Sequence, residues 1–155
     1  MQRFRDQGEA YCNSAYHMKL AGKEQDAAKF YQKARDVGAQ HGFFSVECKA
    51  CTGLGRQAID AGRLEEGLEL LRNAMVAAPL TEEDASREEL MVLQLLTSVL
   101  LDTDGIDELE PLIPRYRAVA KAEMRKSGQP FAEIHGMYIT ARLHEVLVVR
   151  SLSVY

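Results

Sequence analysis

At 155 residues, 46% apolar and 27% charged, the chain is long enough to build a core and has an ordinary water-facing composition. Its net charge of −4, with both signs interspersed, excludes the concentrated basic face of a nucleic-acid binder. No apolar run approaches the roughly 20 residues of a membrane span. The opening MQRFRDQGEA lacks the apolar centre of a signal peptide. Three cysteines, an odd count, point to free thiols in a reducing compartment. The expectation is one cytoplasmic domain, whole or a piece of something longer.

The predicted elements are all helices. The first covers about residues 2–21, with Phe4, Tyr11, Ala15, Met18 and Leu20 on its apolar face, and Gly22 ends it. The second runs from about Gln25 to Gln40, with Ala28, Tyr31, Ala34 and Val37 inward, and Gly42 closes it. The third opens at Phe43 and Phe44, with Ser45 as its cap, and reaches Ala61. Gly62 sits where a helix C-terminus wants φ > 0. The fourth helix, about 64–78, repeats Leu64, Leu68, Leu71, Ala74, Met75 and Ala78 at three- and four-residue steps, and Pro79 stops it.

The fifth helix begins between 82 and 87, where Thr81 offers a cap and Ser86-x-x-Glu89 a capping box, and runs to about Leu101. From Leu90 to Leu101 only Gln94, Thr97 and Ser98 are polar, so it reads as buried nearly all round. Asp102-x-Asp104-Gly105 is a turn. The sixth helix spans about 107–126, with its first turns disturbed by Pro111 and Pro114. Pro130 starts a seventh that ends near Arg150. That helix carries two apolar stripes, Phe131/Ile134/Tyr138/Ala141 and Ile139/Leu143/Val146/Leu147. One can pack on the sixth helix, and the other is left for an interface.

Leu54-Gly55, Gly62, Leu71, Ala74 and Pro79 resemble the tetratricopeptide (TPR) pattern of Leu-Gly, turn Gly, large apolar residue, Ala and closing Pro. A second copy lies forty residues earlier, at Tyr11, Ser14-Ala15, Gly22, Ala27, Tyr31 and Ala34. Cys51 and Ala58 depart from the family's frequent Trp and Tyr. The spacing is similar to that of long-repeat TPRs such as kinesin light chains. The resemblance covers about residues 8–42 and 48–80, a degenerate third pair would occupy 82–127, and an extra helix 130–151. It implies an all-α antiparallel repeat superhelix of about seven helices that recognises a protein or peptide along its first helices. Carried over by position, that groove offers Glu9, Cys12, Tyr16 and Lys19, then Lys49, Thr52, Arg56 and Ile59. Tyr16, Lys19, Lys49, Thr52 and Arg56 are the expected contacts.

No enzyme, cofactor or metal site is expected. Cys48-x-x-Cys51, with His41 nearest in sequence, is the sharpest alternative, a metal or redox pair, but lacks a second ligand pair and a preceding strand. Asp102-x-Asp104-Gly105 lacks the flanking acids of a calcium loop. The four histidines have no Ser or Cys partner at an interpretable spacing. The other alternative is a structural or regulatory subunit that stacks or homo-oligomerises through the seventh helix, at Ile139, Leu143, Val146 and Leu147.

Overall fold

The computed structural model describes residues 1–78 and 85–154, and of residues 85 and 86 the helical backbone alone. The described chain is all-helical. Seven helices follow in order: α1 Gln2–Leu20, α2 Glu24–His41, α3 Phe44–Asp60, α4 Leu64–Ala77, α5 Ala85–Asp102, α6 Ile106–Ser127 and α7 Phe131–Ser153. No described helix is long and apolar enough to cross a membrane. Pro79 and Thr81, read above as helix boundary signals, lie outside the described residues, as does the side chain of Ser86 on which the capping box rests. The chain forms two compact units, Met1–Val92 and Leu93–Tyr155, within what the sequence reads as one domain.

In the first unit α1 packs on α2, α2 on α3, α3 on α4, and α1 also meets α3. Links of two or three residues allow nothing but antiparallel neighbours. The α1–α2 and α3–α4 turns are the same structure forty residues apart. Gly22 and Gly62 take φ of 72° and 79°. Each donates its N–H to a carbonyl three residues back, Lys19 and Ile59, at 2.9 Å in both. Lys23 and Arg63 then bond back five residues, to Met18 and Ala58. No atom lies within 4 Å of a Cβ built on Gly62. Gly62→Val should therefore cost about 1 kcal/mol or more through backbone strain alone, read as a lowered denaturant midpoint.

Burial repeats with the turns. Gly8, Cys12 and Ala15 are buried, as are Cys48, Thr52 and Gly55. Ala27, Tyr31, Ala34 and Gly38 are buried, as are Gly67, Leu71, Ala74 and Ala78. This rotates the predicted inner faces slightly: Phe4 and Leu20 are exposed, and Ala27 and Gly38 replace Ala28 and Val37 inside. Small residues set the helix spacing. A Cβ on Gly55 would meet the Gly67 carbonyl at 3.1 Å, and one on Gly67 the Gly55 carbonyl at 2.9 Å. The Leu54-Gly55 element works through this backbone contact between α3 and α4. The cap of α3 falls on Phe43 rather than Ser45, and no side chain bonds there. The N-terminal part of α5 closes the unit, where Val92 packs with Cys48, Cys51, Ala74, Ala77 and Ala78.

In the second unit, the turn before α6 follows the pattern of the earlier two, with Asp104 in the left-handed position at φ 60°. Gly105 bonds back five residues to Leu100, as Lys23 and Arg63 do in theirs. Arg150 of α7 holds the turn through the Asp104 carboxylate, 2.8 Å away. The α6 helix is continuous through Pro111 and Pro114, instead of starting irregularly. Both prolines are exposed, so the carbonyls four residues earlier, at Asp107 and Glu110, lose only a helix donor on the solvent side. Gly136 of α7 faces Tyr116 and Arg117 of α6. Ile139 and Leu143 lie on that same inner face and are buried.

Candidate interaction surfaces

The expected groove residues fall into two groups. Lys49 and Glu9 occupy equivalent positions of α3 and α1, and their charged atoms stand 2.9 Å apart. Glu88, on α5, reaches the same Lys49 ammonium at 3.3 Å. The first helices of the unit are thus cross-linked by a ladder of alternating charge, Glu9, Lys49, Glu88. Burial works to lower the pKa of Lys49, but the bonds and charges of Glu9 and Glu88 outweigh it and raise it. Lys19 pairs with Asp60 at 3.1 Å. Thr52 is buried, and its hydroxyl donates to the Cys48 carbonyl at 2.7 Å. These three residues serve the fold: two cations are neutralised within the chain and one hydroxyl is inside it. Tyr16 and Arg56, also equivalent positions forty residues apart, remain exposed beside the ladder. Of the other three positions carried over with the groove, Cys12 is buried, Glu9 is taken by the ladder and Ile59 is half-buried.

The cysteines are free and buried. Burial pushes the Cys12 thiol up to about 12, with the Glu9 charge adding to it. Burial, then the charge of Glu88, pushes Cys48 up to about 12 as well, and burial raises Cys51. Such thiols are poor nucleophiles and poor ligands as they stand. His41 packs among aromatic rings. It stacks on Phe4 at 4.2 Å between ring centroids and lies 5.9 Å from Phe43. Thiol titration should count three free thiols in denaturant, with slow reaction in the native protein. Fast native labelling of two cysteines would contradict this.

One polar cluster has no sequence signal. Ser98 of α5, Tyr116 of α6 and His135 of α7 meet inside the second unit. The Ser98 hydroxyl donates to the Gln94 carbonyl at 2.8 Å, so it offers only lone pairs to His135 Nε2, 3.4 Å away. Nε2 then carries the ring proton, and Nδ1 accepts from the Tyr116 hydroxyl. Burial lowers the His135 pKa and raises that of Tyr116 to about 12, which favours these neutral forms. The histidine donates to the serine rather than taking its proton, the reverse of a base-activated nucleophile. Ser98 and His135 are 37 residues apart, a separation that only folding brings together.

The second unit also carries an uncovered apolar face. Phe131, Ile134, Met137 and Tyr138 of α7 are each more than half exposed, as are Val148, Val149 and Leu152 further along. The interface stripe expected from sequence is the covered one: Ile139 and Leu143 are buried, and Val146 and Leu147 half-buried. The stripe that begins at Phe131 is the free one, because Gly136, between the two, turns toward Tyr116.

No family model matches this chain, and neither a curated protein nor a solved structure does.

Proposed function

We propose that the chain is a protein-interaction scaffold of TPR type, which recognises a peptide or helix of a partner along its first helices. The observation that carries this reading is the forty-residue recurrence of turn geometry, buried positions and helix order in the first unit. Recurrence places equivalent residues of α1 and α3 side by side, as the Glu9–Lys49 pair requires, and so builds an extended face from repeated positions. Tyr16 and Arg56 are the contacts of that face. An exposed aromatic ring and a guanidinium suit a partner segment with apolar and acidic side chains. Lys19, Lys49 and Thr52 support it from behind. The buried thiols accord with a reducing, cytoplasmic setting. Nothing in this reading calls for catalysis, a cofactor, nucleic acid or a membrane.

The test is site-specific photo-crosslinking in native lysate. Reactive groups placed at Tyr16 and at Arg56 should give one common protein adduct, absent from a group placed at Glu65, which is exposed on α4. The same adducts from all three positions would defeat the proposal. A second reading, stacking or homo-oligomerisation through α7, is favoured by the exposed stripe of Phe131, Ile134 and Tyr138. Light scattering at high concentration tests it.

A further inference from the structure

Beside the free face of α7, the second unit has a cleft of about 390 Å³ between α6 and α7. Ile113, Pro114 and Ala118 line it from α6 and Met137 from α7, so its floor is apolar. Arg117 and Lys121 form one rim. They are four residues apart on α6, hence neighbours on one side of the helix. Both are exposed, and neither makes an ion pair among the described residues. This sets them apart from Lys19, Lys49, Arg63, Arg142 and Arg150, all of which are neutralised by carboxylates of their own unit. Glu133 stands at the α7 side, the one carboxylate among the described residues that line the cleft. Met137 belongs both to the cleft and to the exposed stripe, so floor and stripe are continuous. Pro114 adds a backbone acceptor at the edge, since it has no N–H to give the Glu110 carbonyl.

We infer that this cleft is a docking site for an amphipathic helical segment of another protein, one that carries two carboxylates a helical turn apart beside large apolar side chains. The carboxylates meet Arg117 and Lys121, and the apolar residues cover Met137, Ile134 and Tyr138. Charge decides between occupants. A purely apolar helix would leave two cations unanswered at the rim, and a basic one would be repelled. A second copy of this chain laid stripe on stripe would bury α7 without using the α6 cations at all. Two neighbouring cations on the α6 rim beside an apolar floor give orientation and salt-dependent association, because each carboxylate has one place to go. The inference rests on the reading of the chain as a protein-recognition scaffold, but it uses residues of the second unit only.

The experiment selects short helical peptides from a display library against the full chain. The library fixes an apolar stripe and randomises the positions flanking it. The selected pool should be enriched in Glu and Asp on one flank. Binding of the leading peptide should fall at least about tenfold in Arg117→Glu/Lys121→Glu, less in Arg117→Gln/Lys121→Gln, and at least about tenfold in Met137→Lys. It should be unchanged in Tyr16→Ala/Arg56→Glu, and weaken between about 50 and about 500 mM salt. Circular dichroism confirms that each variant is folded. Failure to select any peptide, a pool without acidic bias, or binding indifferent to the Arg117/Lys121 variants would overturn the inference. So would a concentration-dependent dimer blocked by Met137→Lys, which would make a second copy the occupant. Loss in Tyr16→Ala/Arg56→Glu alone would overturn it while leaving the first-helix surface standing.

Discussion

Leu143→Glu is expected to lower the urea midpoint of unfolding strongly, by about 3 kcal/mol or more, while Met137→Glu changes it by less than about 0.5 kcal/mol. The two residues lie on the same helix, six positions apart, yet Leu143 is 5% exposed and Met137 60%. At Leu143 the substitution removes a buried apolar side chain and puts a carboxyl in its place. That group must either stay charged in an apolar site or take up a proton at neutral pH, and both cost stability. At Met137 the same carboxyl points to water. Far-UV circular dichroism is the suitable signal, because the chain has no Trp. Equal midpoints for the two variants would mean that α7 presents the opposite face to its unit.

Gly38→Ala is expected to destabilise by about 2–3 kcal/mol, whereas Gly136→Ala stabilises by up to about 1 kcal/mol. Both glycines are inside helices, where Ala is intrinsically better by about 1 kcal/mol. A Cβ on Gly38 would stand 2.8 Å from the Glu47 backbone nitrogen and 3.1 Å from its Cα. Those are main-chain atoms of α3, which a rotamer change cannot move aside, so α2 and α3 would have to separate. On Gly136 the nearest atom would be a Tyr116 ring carbon at 3.7 Å, an ordinary contact. The substitution there gains helix propensity without strain. Urea midpoints of the two variants, measured side by side, should move in opposite directions. A stabilised Gly38→Ala would mean that α2 and α3 do not approach as closely as these distances require.

Helix number, order and bounds were legible in the sequence to within a few residues, because apolar periodicity and turn glycines are local signals. The forty-residue match of Gly22 with Gly62 and Tyr31 with Leu71 was equally legible, and both the turns and the buried positions repeat with it. Asp104 was read as part of a turn. Its role as the left-handed residue of a third matching turn was not, since Asp takes that conformation far less readily than Gly.

What the sequence could not decide is which surfaces remain free. The two apolar stripes of α7 are nearly equal as patterns, and only the approach of Gly136 to Tyr116 buries Ile139 and Leu143 and leaves Phe131 and Ile134 outside. Lys19 and Lys49 looked like available cations because their carboxylate partners, Asp60 and Glu9, lie about forty residues away along the chain. Arg117 and Lys121 carry no local signal in the sequence that separates them from these two. A side chain's spacing along its own helix says which neighbours share its face. Whether a charge is answered, or a face covered, depends on what another helix brings opposite it, and that is decided by tertiary packing.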